Sequence, residues 1–168
     1  MVTMGTGKEL PRYPGCFVCG NRKENPLALG LSFVLEDGMV RAPFTPQREH
    51  AGYPGIVHGG IITSLLDEAS IWAASAAAQA FCVTHSLKVK FLRPARVGEP
   101  LTVLAQMEGR QGRLLLVRAR VETGEGQVLA QSQGSFLPRF RREWIRLVGP
   151  SERRGCHGAQ GGEDRKAG

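Results

Sequence analysis

One segment of the chain combines residue types that can attack a carbonyl group. His58 is followed by Gly59 and Gly60, and Asp67 lies further along in a stretch of apolar residues. Two glycines at a helix start leave bare backbone N–H groups at the positive end of its dipole, where a substrate oxygen can approach them closely. A carboxylate among apolar residues can act as a nucleophile or as a general base for water. The segment therefore predicts an oxyanion site at Gly59 and a reactive carboxylate at Asp67.

These two groups are too far apart to act on the same carbonyl within one chain. Gly59 and Asp67 are eight residues apart, which is about 12 Å along a helix. A carbonyl oxygen and the atom that attacks the carbonyl carbon lie roughly 3–4 Å apart. Two antiparallel copies related by a two-fold axis would place Gly59 of one chain beside Asp67 of the other. The spacing thus predicts a site between subunits, in a homodimer or a homotetramer.

The hydrophobic pattern predicts the elements that position these residues. Residues 59 to about 80 have apolar side chains on almost every side and no Pro or Gly after Gly60, which is typical of a buried helix. A hairpin precedes the helix, with strands at 29–35 and 39–44 joined by the tight-turn pair Asp37-Gly38. Pro43 indicates that its second strand is an edge or is ending. Four segments with alternating apolar residues follow, at 83–93, 100–108, 115–122 and 128–136. We predict an α+β hotdog fold, a curved antiparallel sheet around one long helix.

The ends of the chain differ in composition from its middle. We predict a flexible leader at 1–13, one domain at 14–140, and a basic, largely disordered tail at 141–168 in which residues 140–148 could add a short helix. The net charge is +7, and the tail has seven basic against four acidic residues, which leaves +4 for the rest. That charge is modest for a nucleic-acid-binding protein and sufficient for a phosphate-bearing ligand. We therefore expect no nucleic-acid partner.

Two observations favour a cytoplasmic protein without a membrane partner. The longest apolar stretch, residues 71–83, is too short to span a bilayer. Residues 1–10 lack the apolar run of a signal peptide.

The four cysteines are scattered as reduced thiols are, and do not suggest a disulfide framework. Cys16-x-x-Cys19 offers half of a tetrahedral zinc site, which His50 with a further group, or a symmetry mate, could complete. No second pair of cysteines at that spacing is present. We therefore favour a pair of reduced cysteines, and predict no metal ion and no cofactor.

Three segments together resemble the PaaI-like thioesterases of the hotdog superfamily. They are Gly-Ile-Val-His-Gly-Gly at 55–60, Leu-Asp-Glu-Ala at 66–69 and Lys-Val-Lys-Phe-Leu-Arg-Pro at 88–94. The opening Cys-Phe-Val-Cys-Gly at 16–20 and Asn-Pro-Leu at 25–27 are similar to a bacterial subgroup of that family. The resemblance covers roughly residues 14–138. It implies hydrolysis of an acyl-CoA thioester to a free acid and coenzyme A, which is part of the substrate and no separate cofactor.

The resemblance also implies roles for single residues. Asp67 matches the catalytic carboxylate, Gly59 the N–H that polarises the thioester carbonyl, and Thr84 a hydroxyl that orients the attacking water. His58 helps to set the turn. Many relatives have Asn or Gln six or seven residues before His-Gly-Gly, where this chain has Ala51 and Gly52. His50, one position earlier, is the candidate replacement.

Further residues are candidates for binding the substrate. Gly60 follows the predicted oxyanion donor, and Lys90 and Arg93 belong to a cluster of cations near Pro94 that also includes Lys88 and Arg96. This cluster is either a solvated sheet face or a contact for the coenzyme A phosphates. We expect Glu68 to be exposed or structurally paired.

Two other functions are compatible with the same fold. One is a non-catalytic acyl-CoA binding or sensing protein, although no helix-turn-helix pattern precedes residue 29. The other is a dehydratase, which is disfavoured because the helix acid follows His58 by nine residues, as in the thioesterases.

Overall fold

A computed structural model describes residues 7–148. It contains nine strands, two helices and one 3-10 turn within those residues. The strands are β1 (Lys8–Glu9), β2 (Val34–Glu36), β3 (Met39–Phe44), β4 (Ala51–Tyr53), β5 (Ile56–Val57), β6 (Phe81–Phe91), β7 (Leu101–Gln111), β8 (Leu114–Thr123) and β9 (Val128–Phe140), and the helices are α1 (Gly59–Ala78) and α2 (Arg141–Val148), with the 3-10 turn at Arg48–His50.

Seven of these strands form one antiparallel sheet in the order β1-β2-β3-β7-β8-β9-β6, and β4 and β5 form a separate small ribbon. Helix α1 packs against β3, β6, β7, β8 and β9. One long helix against a curved antiparallel sheet is the predicted α+β hotdog arrangement, which is confirmed. Strand β6 forms one edge of the sheet, with β9 as its only partner among the described residues.

The hairpin before the helix forms at the predicted turn. Asp37 and Gly38 have φ angles of 49° and 78°, as a type I′ turn requires. The first strand is shorter than predicted, because the N–H groups of Leu29 and Leu31 donate to the carbonyls of residues 17 and 18 instead of to a strand. Pro43 lies where β3 has lost β2 as a neighbour and keeps only β7, so its missing N–H removes no bond to a second strand.

The core lies between α1 and one face of the sheet. Leu65, Leu66 and Ala69 of α1 are fully buried, as are Val103 and Val117 of the sheet. Each buried Leu or Val contributes roughly 1.5–3 kcal/mol relative to an exposed one. The other face of β8 carries Arg118 and Arg120. The predicted one-sided alternation is therefore present. No helix within residues 7–148 is both long enough and apolar enough to cross a membrane.

The packed unit extends beyond both predicted domain boundaries. In the described part of the predicted leader, β1 pairs with β2 and Leu10 is buried. After residue 140, α2 brings Trp144 into the core, where its ring centroid lies 6.3 Å from that of Trp72 and 5.3 Å from that of Phe81. The boundary predicted at residue 140 thus falls before a core residue. The segment after it is basic in composition, and this composition gave no sign that Trp144 is buried. The rest of the predicted tail, 149–168, lies outside the described residues, as do residues 1–6.

Candidate active site

The first turn of α1 has one capped and one uncapped glycine. His58 is the N-cap, and its Nδ1 accepts a hydrogen bond of 2.8 Å from the Gly60 N–H. The His58 carbonyl accepts from Ile61 N–H at 3.0 Å. No described residue accepts a hydrogen bond from the Gly59 N–H. His58 therefore fixes the turn, and the Gly59 N–H remains available to a ligand at the positive end of the helix dipole.

A cleft of about 430 Å³ opens over this turn. Its lining is mainly apolar and includes Gly59 and Ile62 of α1, Tyr53 and Ile56 before it, and Phe91 at the end of β6. A Cβ at position 59 would lie 3.4 Å from Cζ of Phe91. Glycine thus keeps the helix start open where the aromatic ring already narrows the approach to it.

Asp67 lies two turns further along α1 and faces the edge strand. Thr84 Oγ1 of β6 donates a hydrogen bond of 2.8 Å to Asp67 Oδ1. Burial raises the pKa of the partly buried Asp67 carboxyl, and the hydrogen bond from Thr84 lowers it by a smaller amount. The pair is therefore a carboxylate of increased basicity whose orientation is fixed by a hydroxyl, as a general base for water requires.

The structure does not bring the two parts of the site together within one chain. Among the described residues that line the cleft, neither Asp67 nor Thr84 occurs. Both Gly59 and Asp67 belong to the continuous helix α1, so about 12 Å of helix separates them. Thr84 is exposed on the free edge of the sheet. The carboxylate thus points toward the place where a second chain could approach.

The cations near Pro94 lie on different surfaces. Arg93 lines the cleft with Gly59, and its Nη1 donates to the Val128 carbonyl at 3.3 Å. Lys88 and Lys90 line a cavity of about 200 Å³ on the outer sheet face, together with Arg118. Alternation along β6 explains the separation, because Lys88 and Lys90 point away from the face that packs on α1. Only Arg93 of this cluster is placed beside the predicted oxyanion donor.

His50 lies behind the site. Its side chain is buried, Nδ1 accepts from the Gln47 N–H at 2.9 Å, and its ring packs 5.4 Å from that of Phe44. Burial lowers the pKa of this imidazole. The link to the cleft is through the backbone, where the His50 carbonyl accepts from the His58 N–H at 2.8 Å. The predicted replacement for Asn or Gln therefore does not reach the cleft of its own chain with its side chain.

A cluster that the sequence did not predict lies beside Asp67 on the other side of α1. Glu68 Oε1 is 3.5 Å from Cys16 Sγ and accepts a hydrogen bond of 3.1 Å from the Trp72 indole N–H. Cys19 is the third member of the cluster. Glu68 is thus structurally paired, as one of the two expectations had it. The four-residue spacing from Glu68 to Trp72 was a usable signal, but nothing in the sequence indicated a partner 52 positions away.

The pKa values in this cluster are shifted in different directions. Burial raises the pKa of Glu68 to about 7. The hydrogen bond from the Cys19 thiol, with those from backbone N–H groups, lowers the pKa of Cys16 to about 5 against the effect of burial. The same hydrogen bond to Cys16, together with burial, raises the pKa of Cys19. Cys16, Cys19 and Cys82 are free cysteines.

Comparisons with known proteins agree with this architecture. The family model described as thioesterase superfamily matches residues 54–130. A candidate esterase of Deinococcus radiodurans is 38% identical over 117 residues, which are 68% of this chain and 78% of that protein. A candidate esterase of Saccharolobus solfataricus is 30% identical over 111 residues, 65% of this chain and 73% of that one.

Solved structures give the same result. The crystal structure of a thioesterase superfamily protein is 32% identical with a TM-score of 0.67, and the match covers 74% of this chain and 60% of that longer chain. The PaaI protein of the E. coli phenylacetic acid degradation operon has a TM-score of 0.62 at 22% identity, over 67% of this chain and 81% of that one. At that identity the second likeness shows the fold alone.

Proposed function

This chain belongs to the thioesterase superfamily, and from that premise we propose that it hydrolyses acyl-CoA thioesters to a free acid and coenzyme A. The observation that carries the proposal is the division of α1 into two chemical parts. Its first turn offers to a cleft the Gly59 N–H, from which none of residues 7–148 accepts a hydrogen bond, and its middle holds the carboxylate of Asp67 against Thr84. An oxyanion donor and a base are the two groups that thioester hydrolysis needs.

In the proposed reaction, the thioester carbonyl oxygen accepts a hydrogen bond from the Gly59 N–H. Thr84 and Asp67 hold a water molecule, Asp67 takes its proton, and the water oxygen forms a bond to the carbonyl carbon. The negative charge that develops on the carbonyl oxygen is stabilised by the Gly59 N–H and the helix dipole. The C–S bond then breaks, and the free acid that leaves contains the oxygen of the water molecule. The proton that Asp67 took passes to the coenzyme A thiolate. Direct attack by Asp67 on the carbonyl carbon is the alternative first step.

The proposed site lies between two chains. Strand β6 has eleven residues, and within residues 7–148 no strand pairs with its outer edge. Val83 and Phe91 of this strand are 38% and 57% exposed. Long edge strands with exposed apolar side chains are normally covered or paired. Pairing of two β6 edges about a two-fold axis would set the two α1 helices antiparallel, which brings Gly59 of one chain toward Asp67 of its partner. A homodimer is the smallest assembly that completes the site, and two such dimers would form the homotetramer.

The proposed binding of coenzyme A uses the cation at the cleft. Arg93 lies beside the helix start, where its guanidinium can pair with a phosphate. Lys90 and Lys88 on the outer face of the edge strand would contribute from near the subunit boundary. The apolar lining of the cleft suits an acyl group or the pantetheine arm. We place the enzyme in the cytoplasm, because its cysteine usage lacks a disulfide framework.

The experiment is a hydrolysis screen of the purified full chain against aryl, short-chain and long-chain CoA thioesters. Hydrolysis is measured as the release of the free coenzyme A thiol. We expect turnover of at least one class, with the subunits associated at the assay concentration. Binding of the CoA thioesters without turnover would instead identify a non-catalytic acyl-CoA binding protein. Neither binding nor turnover across the panel would refute the assignment of the substrate class.

A further inference from the structure

The Cys16–Cys19 loop has the geometry of a prepared sulfur ligand. The backbone N–H groups of Val18 and Cys19 both donate to Cys16 Sγ, at 3.3 and 3.4 Å. Such N–H···S bonds stabilise a thiolate, which is the form that binds metals. A Cβ at Gly20 would collide with the Cys16 carbonyl oxygen. The loop is therefore wound so tightly that only glycine fits after the second cysteine.

The loop is held in place from both sides. Arg12 donates to the carbonyls of Cys19 and Gly20, at 2.9 and 3.0 Å. On the other side, the Cys16 sulfur faces Glu68 of α1. The thiol of Cys19 is buried, with 1% of the residue exposed. The two sulfurs thus meet a carboxylate at a place where Cys19 is buried and Cys16 and Glu68 are half-buried.

The separations fit a single ion. One donor atom from each of Cys16, Cys19 and Glu68 lies within 4.8 Å of the other two. Zinc bonds of about 2.3 Å to sulfur and about 2.0 Å to a carboxylate oxygen, at a tetrahedral angle, place those two atoms about 3.5 Å apart. The observed distance from Cys16 Sγ to Glu68 Oε1 is 3.5 Å. Little movement is needed for an ion to bridge them.

In place of the metal-free pair of cysteines that the sequence favoured, we propose that Cys16 Sγ, Cys19 Sγ and a carboxylate oxygen of Glu68 bind a zinc ion, with a water molecule in the fourth position. Two thiolates and one carboxylate select zinc over magnesium or calcium, which take oxygen ligands. The Trp72 indole N–H, which donates to Glu68 Oε1 at 3.1 Å, orients the carboxylate as outer partners of metal ligands do. Binding releases to solvent the protons that remain in the cluster, such as that of the Cys19 thiol, so the ion replaces the hydrogen bonds between its three side chains.

The proposed ion has a structural role that is independent of the proposed hydrolysis. It fastens the loop that begins at Cys16 to α1, one residue away from Asp67. Residues 13–31 contain no regular strand or helix. The segment is held by turns and by single hydrogen bonds to its neighbours. An ion that joins this segment to the central helix stabilises the folded chain by the free energy of metal binding.

The test measures the metal directly on the full-length protein. The protein is purified without chelators, its zinc content is determined by mass spectrometry, and the ion is then removed and replaced by Co²⁺. We expect about one ion per chain, tetrahedral Co²⁺ absorption in the visible range and a sulfur-to-cobalt charge-transfer band in the near ultraviolet. These spectra are recorded on the unmodified sequence, so they do not depend on whether a variant folds.

Variants then assign the ligands. Cys16→Ser and Cys19→Ser should each weaken the charge-transfer band and the binding of Co²⁺, and Glu68→Gln should weaken binding by at least about tenfold while the band is retained. Cys82→Ser is the matched control, because Cys82 is also a buried free cysteine and lies outside the cluster. Its Co²⁺ spectrum should be unchanged.

Three outcomes would overturn the inference. One is a protein with both thiols reduced that shows no Co²⁺–sulfur band at micromolar Co²⁺. Another is a disulfide between Cys16 and Cys19 in the protein as purified under reducing conditions. The third is a Glu68→Gln variant that binds Co²⁺ as tightly as the unmodified chain, which would remove Glu68 from the ligand set. Each can occur whether or not CoA thioesters are hydrolysed, so this proposal and the proposed function fail separately.

Discussion

Replacement of Asp67 by Asn is the most informative change to the proposed site, because it removes basicity and keeps shape. The amide oxygen of Asn can still accept the 2.8 Å hydrogen bond from Thr84. The only other carboxylate on α1, that of Glu68, contacts Cys16 and Trp72 on another side of the helix and cannot take over. We therefore expect kcat to fall by about 100- to 10,000-fold, the usual contribution of a general base. This is roughly 2.7–5.5 kcal/mol of transition-state stabilisation.

The same substitution lowers kcat but is not expected to lower the stability of the fold. Burial raises the pKa of Asp67 in the folded state above its value in the unfolded chain. The folded state then binds the proton more tightly than the unfolded chain does. The free energy of unfolding therefore falls as pH rises through the interval between the two pKa values, and this loss of stability is complete above the higher one. Asn carries no charge at any of these pH values. We expect Tm at neutral pH to be unchanged or higher in Asp67→Asn.

The assay combines kcat from thiol release with Tm from circular dichroism, at neutral pH and on the same preparations. Asp37→Asn is the matched control, since Asp37 is an exposed turn residue and Asn tolerates its positive φ. The control should keep kcat. A folded Asp67→Asn protein that turns over at the original rate would refute the role of Asp67. A large loss of Tm would instead show that the carboxylate stabilises the fold.

Three further changes test the remaining parts of the site. Thr84→Val removes the hydrogen bond that lowers the pKa of Asp67, so the acidic limb of the kcat/KM–pH profile should move to higher pH; an unmoved limb would contradict the contact. Gly59→Pro removes the N–H donor at a helix position that tolerates proline, so this chain should be inactive. Mixing it with Asp67→Ala should restore about a quarter of the activity, because half of the dimers are mixed and each mixed dimer regains one of its two sites. No recovery after proven subunit exchange would place each site within one chain. Arg93→Gln should raise KM at low salt and raise it less at high salt. Arg113 is exposed and lies outside the cleft, so Arg113→Gln should leave KM unchanged. Equal effects of the two variants on KM would exclude a specific phosphate contact of Arg93.

The parts of the fold that were predictable from the sequence are those that local patterns determine. The Asp37-Gly38 turn, the all-round apolar helix and the alternating strands each follow from residues within about ten positions of one another. The same holds for the helix start, where His58 and the two glycines are adjacent in sequence. Their chemistry could be assigned because capping depends only on the first turn.

The parts that were not predictable depend on which distant residues share a surface. Lys90 and Arg93 are three residues apart, yet the strand ends between them, so they face different cavities. His50 is close to the site in sequence and in space, but its ring turns into the core beside Phe44. Trp144 belongs to a basic segment, and only its contacts with the core show that the folded unit continues to it.

The two neighbouring carboxylates of α1 lie on different sides of the helix and have different partners. Successive residues of a helix point about 100° apart, so Asp67 reaches Thr84 on the sheet edge while Glu68 reaches Cys16 in the N-terminal loop. Burial raises the pKa of both carboxyls, and each has its own side-chain partners, Thr84 for Asp67 and Cys16 and Trp72 for Glu68. The two positive charges of a zinc ion are offset by the two thiolates and the carboxylate that bind it, so the ion changes the field at Asp67 little. Removal of the proposed zinc ion should therefore leave the acidic limb of the kcat/KM–pH profile in place, which kinetics before and after metal removal would check. A limb that moves with the metal would contradict the separation of the two sides of the helix.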